Sequence, residues 1–157
     1  RTPALALGAG EVHLIELTGA FAAFANGGFA VQPYGITEIR TAGGAVLFRQ
    51  ASGRLSRQVG DADVSAMNEM LRAVVGEGSG RAASLPGVAV AGKTGTSSDY
   101  RDAWFIGFAG EVVLGVWLGN DDNSPMRAVT GGGLPAELWR EIMVRALGLP
   151  AGATAER

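Results

Sequence analysis

Residues 87–108 read GVAVAGKTGTSSDYRDAWFIGF, and two roles for Lys93 compete in that stretch. Taken from Gly87, the letters G-V-A-V-A-G-K-T satisfy the phosphate-loop pattern, which requires a strand before the first Gly and a helix opening at the Lys-Thr. Such a helix aims its free N–H groups and its dipole at the phosphates. Pro86 stands before Gly87, the Val-Ala-Val-Ala between the glycines reads as strand, and Gly95 with a polar loop follows Thr94. No helix opens where phosphates would lie. Asp121, a candidate magnesium ligand after an apolar strand, is set apart from it by Gly119 and Asn120. The phosphate-loop reading is rejected, and residues 88–96 are expected to form a strand that carries Lys93, Thr94, Gly95 and Thr96.

Outward from that strand, residues 103–108 and 112–118 are two more apolar runs of strand length, joined by Ala109-Gly110-Glu111 as a short turn. Upstream, Leu14, Leu17, Phe21 and Phe24 recur at helical spacing in a helix expected over 12–26, ended by Gly27-Gly28. His13 occupies its cap position with Glu16 three residues on, the spacing of a capping box. Residues 36–41 and 45–48 alternate around Ala42-Gly43-Gly44 as a hairpin. A second helix is expected over 61–76, capped by Asp61, with Val64, Met67, Leu71, Val74 and Val75 on one face, ending in the flexible turn GEGSG. A polar loop over 120–133 leads to a third helix over 135–147 with Pro at its first turn and Leu138, Trp139, Ile142 and Met143 as its stripe. Short links between strands favour an antiparallel sheet, so the fold class is α+β: about three core strands plus a hairpin, packed with helices. Residues 1–150 are read as one piece of a domain, and 151–157 as a disordered tail.

Composition narrows the function classes. The 157 residues are 47% hydrophobic and 18% charged, which describes a folded chain large enough for a core. A net charge of −2 supplies no footprint for nucleic acid. The apolar run 112–119 is too short to span a bilayer, so no transmembrane segment is expected in this chain. Cysteine is absent, and His13 is the single histidine, so neither a disulfide nor a metal site is expected. No cofactor is implied. The opening RTPALALGAG, without Met, is that of a piece of something longer.

On the residues alone, an edge strand with Gly95 lets a peptide approach its backbone and add itself as a further strand. The hydroxyls of Thr94, Thr96 and Ser97 can donate to a carboxylate, Lys93 adds positive potential, and a backbone N–H can serve an oxyanion hole. Paired acids Asp121 and Asp122 read as solvated turn formers rather than a calcium site. Trp104, Trp117 and Trp139, at strand and helix periodicity, read as core rather than as a sugar platform.

A series of blocks in fixed order then resembles the transpeptidase domain of class A penicillin-binding proteins. They are ELTGAFAAFANGG at 16–28, MLRAVVGEGSGRAA at 70–83, AGKTGTS at 91–97, DAWFIGF at 102–108, GVWLGNDD at 115–122 and TGGGLPAELWREIM at 130–143. Ser79 stands where the family usually has Thr. The resemblance implies a penicillin-binding fold and a D,D-transpeptidase that cross-links peptidoglycan stem peptides through an acyl-serine and binds β-lactams. It implies that Lys93 supports the active-site hydrogen-bond network, that Thr94 and Thr96 hold the substrate carboxylate, that the Thr96 N–H serves the oxyanion hole, and that Gly95 is the close-approach position. It further implies an extracytoplasmic, periplasmic location on the bacterial cytoplasmic membrane, anchored by a segment outside this chain.

The same family uses Ser-x-x-Lys and Ser-x-Asn motifs. Lys93 is the only lysine, no serine has an asparagine two residues on, and Ser97 and Ser98 have no base placed by sequence to activate them. The chain is therefore read as the C-terminal part of such a domain, expected to be inactive alone, with the missing N-terminal part as its partner. Strand 112–118 would then lack a neighbour, and its open edge favours self-association. The alternative is a non-catalytic relative that keeps the fold as a binding or assembly module.

Overall fold

A computed structural model describes residues 8, 10–51, 53 and 55–150. The expectation of a disordered tail over 151–157 lies outside the described residues. In chain order the elements are α1 (Leu14–Ala25), β1 (Glu38–Arg40), β2 (Val46–Arg49), α2 (Asp61–Gly76), β3 (Ala91–Thr96), β4 (Asp102–Ala109), β5 (Val112–Gly119) and α3 (Leu134–Ala146). Single turns of 3₁₀ helix at Arg81–Ala83 and Ser98–Tyr100, which the sequence pattern did not reveal, join α2 to β3 and β3 to β4.

β3, β4 and β5 form one antiparallel sheet in that order, while β1 and β2 pair only with each other. β4 is central. Its neighbours are tightly registered: Thr94 stands opposite Phe105, and Phe105 opposite Val116. Alternation sends Ala103, Phe105 and Ala109 to one face of the sheet and Trp104, Ile106 and Phe108 to the other. The first face packs on Ala136, Trp139 and Met143 of α3, together with Val75, Ala83, Leu85 and Val90. On the second, Ala91 and Phe108 meet Leu71 and Met67 of α2 and Phe21 and Phe24 of α1. The sheet is covered by helices on both sides, and α2 contributes to both clusters.

α1 crosses the sheet directly over Gly115. A Cβ there would run into the Thr18 hydroxyl and lie 2.9 Å from Leu14 Cδ1, so only glycine admits this crossing. The helix ends as the Ala-Asn-Gly-Gly pattern suggests. Gly27 takes φ +79°, and the Gly28 N–H returns to the Ala23 carbonyl at 2.7 Å, a left-handed cap closing the last turn. At the other end His13 is the cap residue, and its N–H donates to the Glu16 carboxylate at 3.4 Å.

Several expectations require correction. The cap of α2 is Gly60, with Asp61 inside the first turn, where its charge still complements the helix dipole. β3 begins at Ala91, not Val88, because Pro86 and Gly87 (φ +72°) form a tight turn in which the Val88 N–H returns to the Leu85 carbonyl. On α3 the buried side chains are Pro135, Ala136, Trp139 and Met143, whereas Leu138 and Ile142 are exposed. Trp139 is core, but Trp104 and Trp117 are not. They face each other across β4 and β5, ring centroids 6.3 Å apart, with Trp104 half-buried and Trp117 37% exposed.

Candidate functional site

Among the described residues β3 has β4 on one side and no strand on the other, so half of its backbone N–H and C=O groups face an open edge. The residues proposed from sequence lie on this edge and at its exit. Lys93 is exposed, and its Nζ donates to the Thr94 carbonyl at 2.9 Å. Alternation places Lys93 and Gly95 on the α1 side of the sheet and Thr94 and Thr96 on the α3 side. Ile106, the register partner of Lys93, is buried, and Trp104 backs Gly95, 3.2 Å from where a Cβ would stand. The strand is thus firm behind and open in front.

Two other segments converge on its hydroxyls. Ser79, from the turn after α2, places its Oγ 2.6 Å from Thr94 Oγ1. Gly131 donates its N–H to Thr96 Oγ1 at 3.1 Å. Gly131 lies so close over the strand that a Cβ on it would be 2.5 Å from the Gly95 carbonyl oxygen and 2.8 Å from the Gly95 nitrogen. Ser97 is placed differently. Its Oγ accepts the Asp102 N–H at 2.8 Å, and its own N–H donates to the Asp102 carbonyl at 3.0 Å, which closes the turn between β3 and β4. Its hydroxyl proton is still free to donate.

Ser79 and Gly131 were not singled out as site residues from the sequence. Gly78-Ser79-Gly80 read as a flexible turn, and only its position in a block shared with the family offered a signal. The loop over 120–128 is pinned to the β3–β4 connection through the Met126 N–H to the Tyr100 carbonyl at 3.0 Å, and through Arg101, which donates to the Asn123 carbonyl. Asp99 and Tyr100 take φ near +58°, a left-handed pair. Asp121 and Asp122 do not form a metal cluster. Asp122 Oδ1 accepts the Ser124 N–H at 3.0 Å, and the hydrogen bonds from Ser124 hold its carboxyl below the ordinary aspartate value. Among the described residues no group of three or more His, Cys, Asp or Glu gathers as a metal site. A cavity of about 1380 Å³ opens elsewhere, between the β1–β2 hairpin and the segment after α1, lined by Phe29, Tyr34, Glu38 and Arg49 among others.

Chemically, the edge offers a flat run of backbone, two threonine hydroxyls braced from behind and a lysine. Groups of these kinds are the ones that can take up an extended peptide ending in a carboxylate. No serine on the described edge has a base beside it.

Residues 2–144 match the penicillin-binding protein transpeptidase domain. The chain is 38% identical over 140 residues to penicillin-binding protein 1A of Aquifex aeolicus, covering 88% of this chain and 19% of that protein. The D,D-transpeptidase domain of a peptidoglycan glycosyltransferase from Eggerthella lenta superposes with a TM-score of 0.71 at 28% identity, over 87% of this chain and 33% of that one. The penicillin-binding protein PonA1 from Mycobacterium tuberculosis shares the fold, with a TM-score of 0.80 at 24% identity over 99% of this chain and 42% of that one. The chain belongs to the penicillin-binding protein transpeptidase family and corresponds to the C-terminal part of that domain in a class A protein. It spans about a fifth of the length of the curated relatives it matches, 19% in each of the first two.

Proposed function

We propose that the protein carrying this stretch is a serine-type D,D-transpeptidase that cross-links peptidoglycan stem peptides and is acylated by β-lactams. In this reading the donor peptide lies along the open edge of β3. Its terminal carboxylate is held by the Thr94 and Thr96 hydroxyls in the positive potential of Lys93. Charge-assisted hydrogen bonds of this kind are the strong ones, and the Gly131 N–H already occupies a lone pair of Thr96 so that its proton is free to point outward. With the carboxylate fixed, the scissile carbonyl is brought to the Thr96 N–H, which stabilises the oxyanion as a serine from outside this chain attacks. The terminal D-Ala leaves, and an amine of a second peptide resolves the acyl-enzyme. Lys93 supports the hydrogen-bond network around that serine, and Ser97 offers a further hydroxyl at the end of the strand.

The observation that carries the proposal is the braced hydroxyl pair on an unpaired strand edge. It supports a substrate-holding role for Lys93, Thr94, Gly95 and Thr96. Consistent with that role, the enzyme would work at the extracytoplasmic face of the bacterial cytoplasmic membrane, held by a segment outside this chain. Among the described residues no helix is long and apolar enough to cross a membrane. The test is labelling with a fluorescent penicillin. The full protein should form a covalent adduct stable to denaturation, and the isolated 157-residue chain should form none. A full protein that retains this fold but remains unlabelled would instead be a non-catalytic binding or assembly module.

A further inference from the structure

We propose that Ser79 is a positioning residue for carboxylate recognition, acting through Thr94. This rests on the reading of β3 as the substrate-holding strand. It adds a residue from a different element and assigns it a distinct task.

The contact is short and direct, Oγ to Oγ1 at 2.6 Å. A hydroxyl carries one proton and two acceptor positions. When Ser79 donates to Thr94, the Thr94 proton is left to point at the open edge; when Thr94 donates, the Ser79 proton is left over. An anion at the edge selects the first arrangement, because it needs a donor there. The pair therefore presents one outward proton from Thr94, with its direction fixed by Ser79. Thr96 is treated the same way by the Gly131 N–H at 3.1 Å. Each threonine accepts from behind and donates in front.

The turn that holds Ser79 is built to keep it there. Gly80 is buried, its N–H donates to the Val74 carbonyl at 2.8 Å, and a Cβ on it would come within 3.1 Å of both the Phe105 ring and Val74 Cγ1. The Gly78 N–H donates to the Ala73 carbonyl at 3.0 Å, folding the chain back on the last turn of α2. From the other side Gly132 packs on the Ser79 carbonyl so closely that no Cβ fits between. A serine merely exposed in a mobile turn has no reason to be held at three points. Ser79 itself is exposed, so truncating it leaves no core cavity.

The test uses the full-length protein and two probes: a penicillin with its free carboxylate, and the methyl ester of the same penicillin. Second-order acylation rates are measured for the parent, Ser79→Ala and Ser79→Thr. Loss of one hydrogen bond that serves a charged group corresponds to a loss of about tenfold. Ser79→Ala should lose about that factor with the free acid and change less than about twofold with the ester. Ser79→Thr should restore the free-acid rate. In a Thr94→Val background, Ser79→Ala should have no further effect, since the proposed route through Thr94 is gone. Equal loss with both probes, an unchanged free-acid rate, or an undiminished effect in the Thr94→Val background each overturns the proposal while leaving the transpeptidase reading intact. A parent protein labelled by neither probe overturns both.

Discussion

Phe105 meets Trp139 edge to face, ring centroids 5.2 Å apart at an interplanar angle of 66°, and the residue opposite Phe105 across the sheet is Thr94. The most buried ring of the central strand thus lies in the same cross-strand pair as a hydroxyl of the open edge. Both Phe105 and Trp139 are fully buried, and the Trp139 indole N–H is satisfied by the Leu114 carbonyl at 3.0 Å. Phe105→Ala in the full-length protein should destabilise it by about 3–5 kcal/mol, read as a lowered unfolding midpoint in denaturant. A change under about 1 kcal/mol would show that this pair is not the centre of the core.

The crossing of α1 over β5 gives a second, sharper test. Gly115→Ala puts a methyl group against the Thr18 hydroxyl and 2.9 Å from Leu14 Cδ1. Overpacking of this kind costs about 1–3 kcal/mol. Thr18→Ala in the same protein should recover part of that loss, and calorimetry on the two single variants and the double variant measures the recovery. Strict additivity would mean that the helix does not rest on this point.

Gly131→Ala separates activity from stability. The added methyl collides with the Trp104 carbonyl and the Gly95 backbone, and the loop that donates to Thr96 must lift away. Acylation by a penicillin should fall by at least about tenfold, the worth of a hydrogen bond to a charged group. The unfolding midpoint should move far less than in Phe105→Ala. Wild-type acylation rates in Gly131→Ala would remove this loop from the site.

Among the described residues β5 has no strand partner on its outer side, and its residues Val112 to Gly119 are predominantly apolar. Such an edge invites pairing with another copy. The isolated chain at high concentration should sediment as dimers or larger species. A single monomeric boundary across the concentration series would contradict this.

Acid should act on the loop after β5 in a defined direction. The Asp122 carboxyl is held below its ordinary value by hydrogen bonds from Ser124, so its contribution is present above the ordinary aspartate value and lost as pH falls through the lowered one. Ser124→Ala should move the Asp122 midpoint upward in an NMR titration of the side-chain carboxyl. The carboxylate is fully exposed, so the accompanying change in stability should be slight.

The architecture was largely readable because the period of the apolar residues switches cleanly from helical to alternating, and because α2 ends where the Gly-rich turn begins. The rule that Pro and Gly interrupt regular structure also excluded the phosphate loop. Two kinds of information were not in the pattern. Trp104 and Trp117 have the composition of core residues, yet which row of a two-sided sheet a helix covers depends on where α1 crosses, and that is decided at Gly115. Likewise, Leu138 and Ile142 share helical spacing with Trp139 and Met143 but fall on the exposed side of α3, because the sheet meets the helix through Ala136. The site shows the same limit. Lys93 to Thr96 are contiguous and therefore visible, whereas Ser79 and Gly131 reach them from 15 and 35 residues away, through tertiary packing alone.

The placement of the three tryptophans has an optical consequence. Trp139 is sealed in the core, while Trp104 and Trp117 form a tilted pair, 56° between ring planes, on the face of the sheet directly behind Gly95. Two indoles at that separation and angle couple their strong ultraviolet transitions, so the dichroism of this chain should contain a signal belonging to the pair. Any ligand that straightens or shifts the edge strand moves the backing of Gly95 and hence that signal. In this chain, occupancy of the edge can then be followed without a dye, against the background of Trp139.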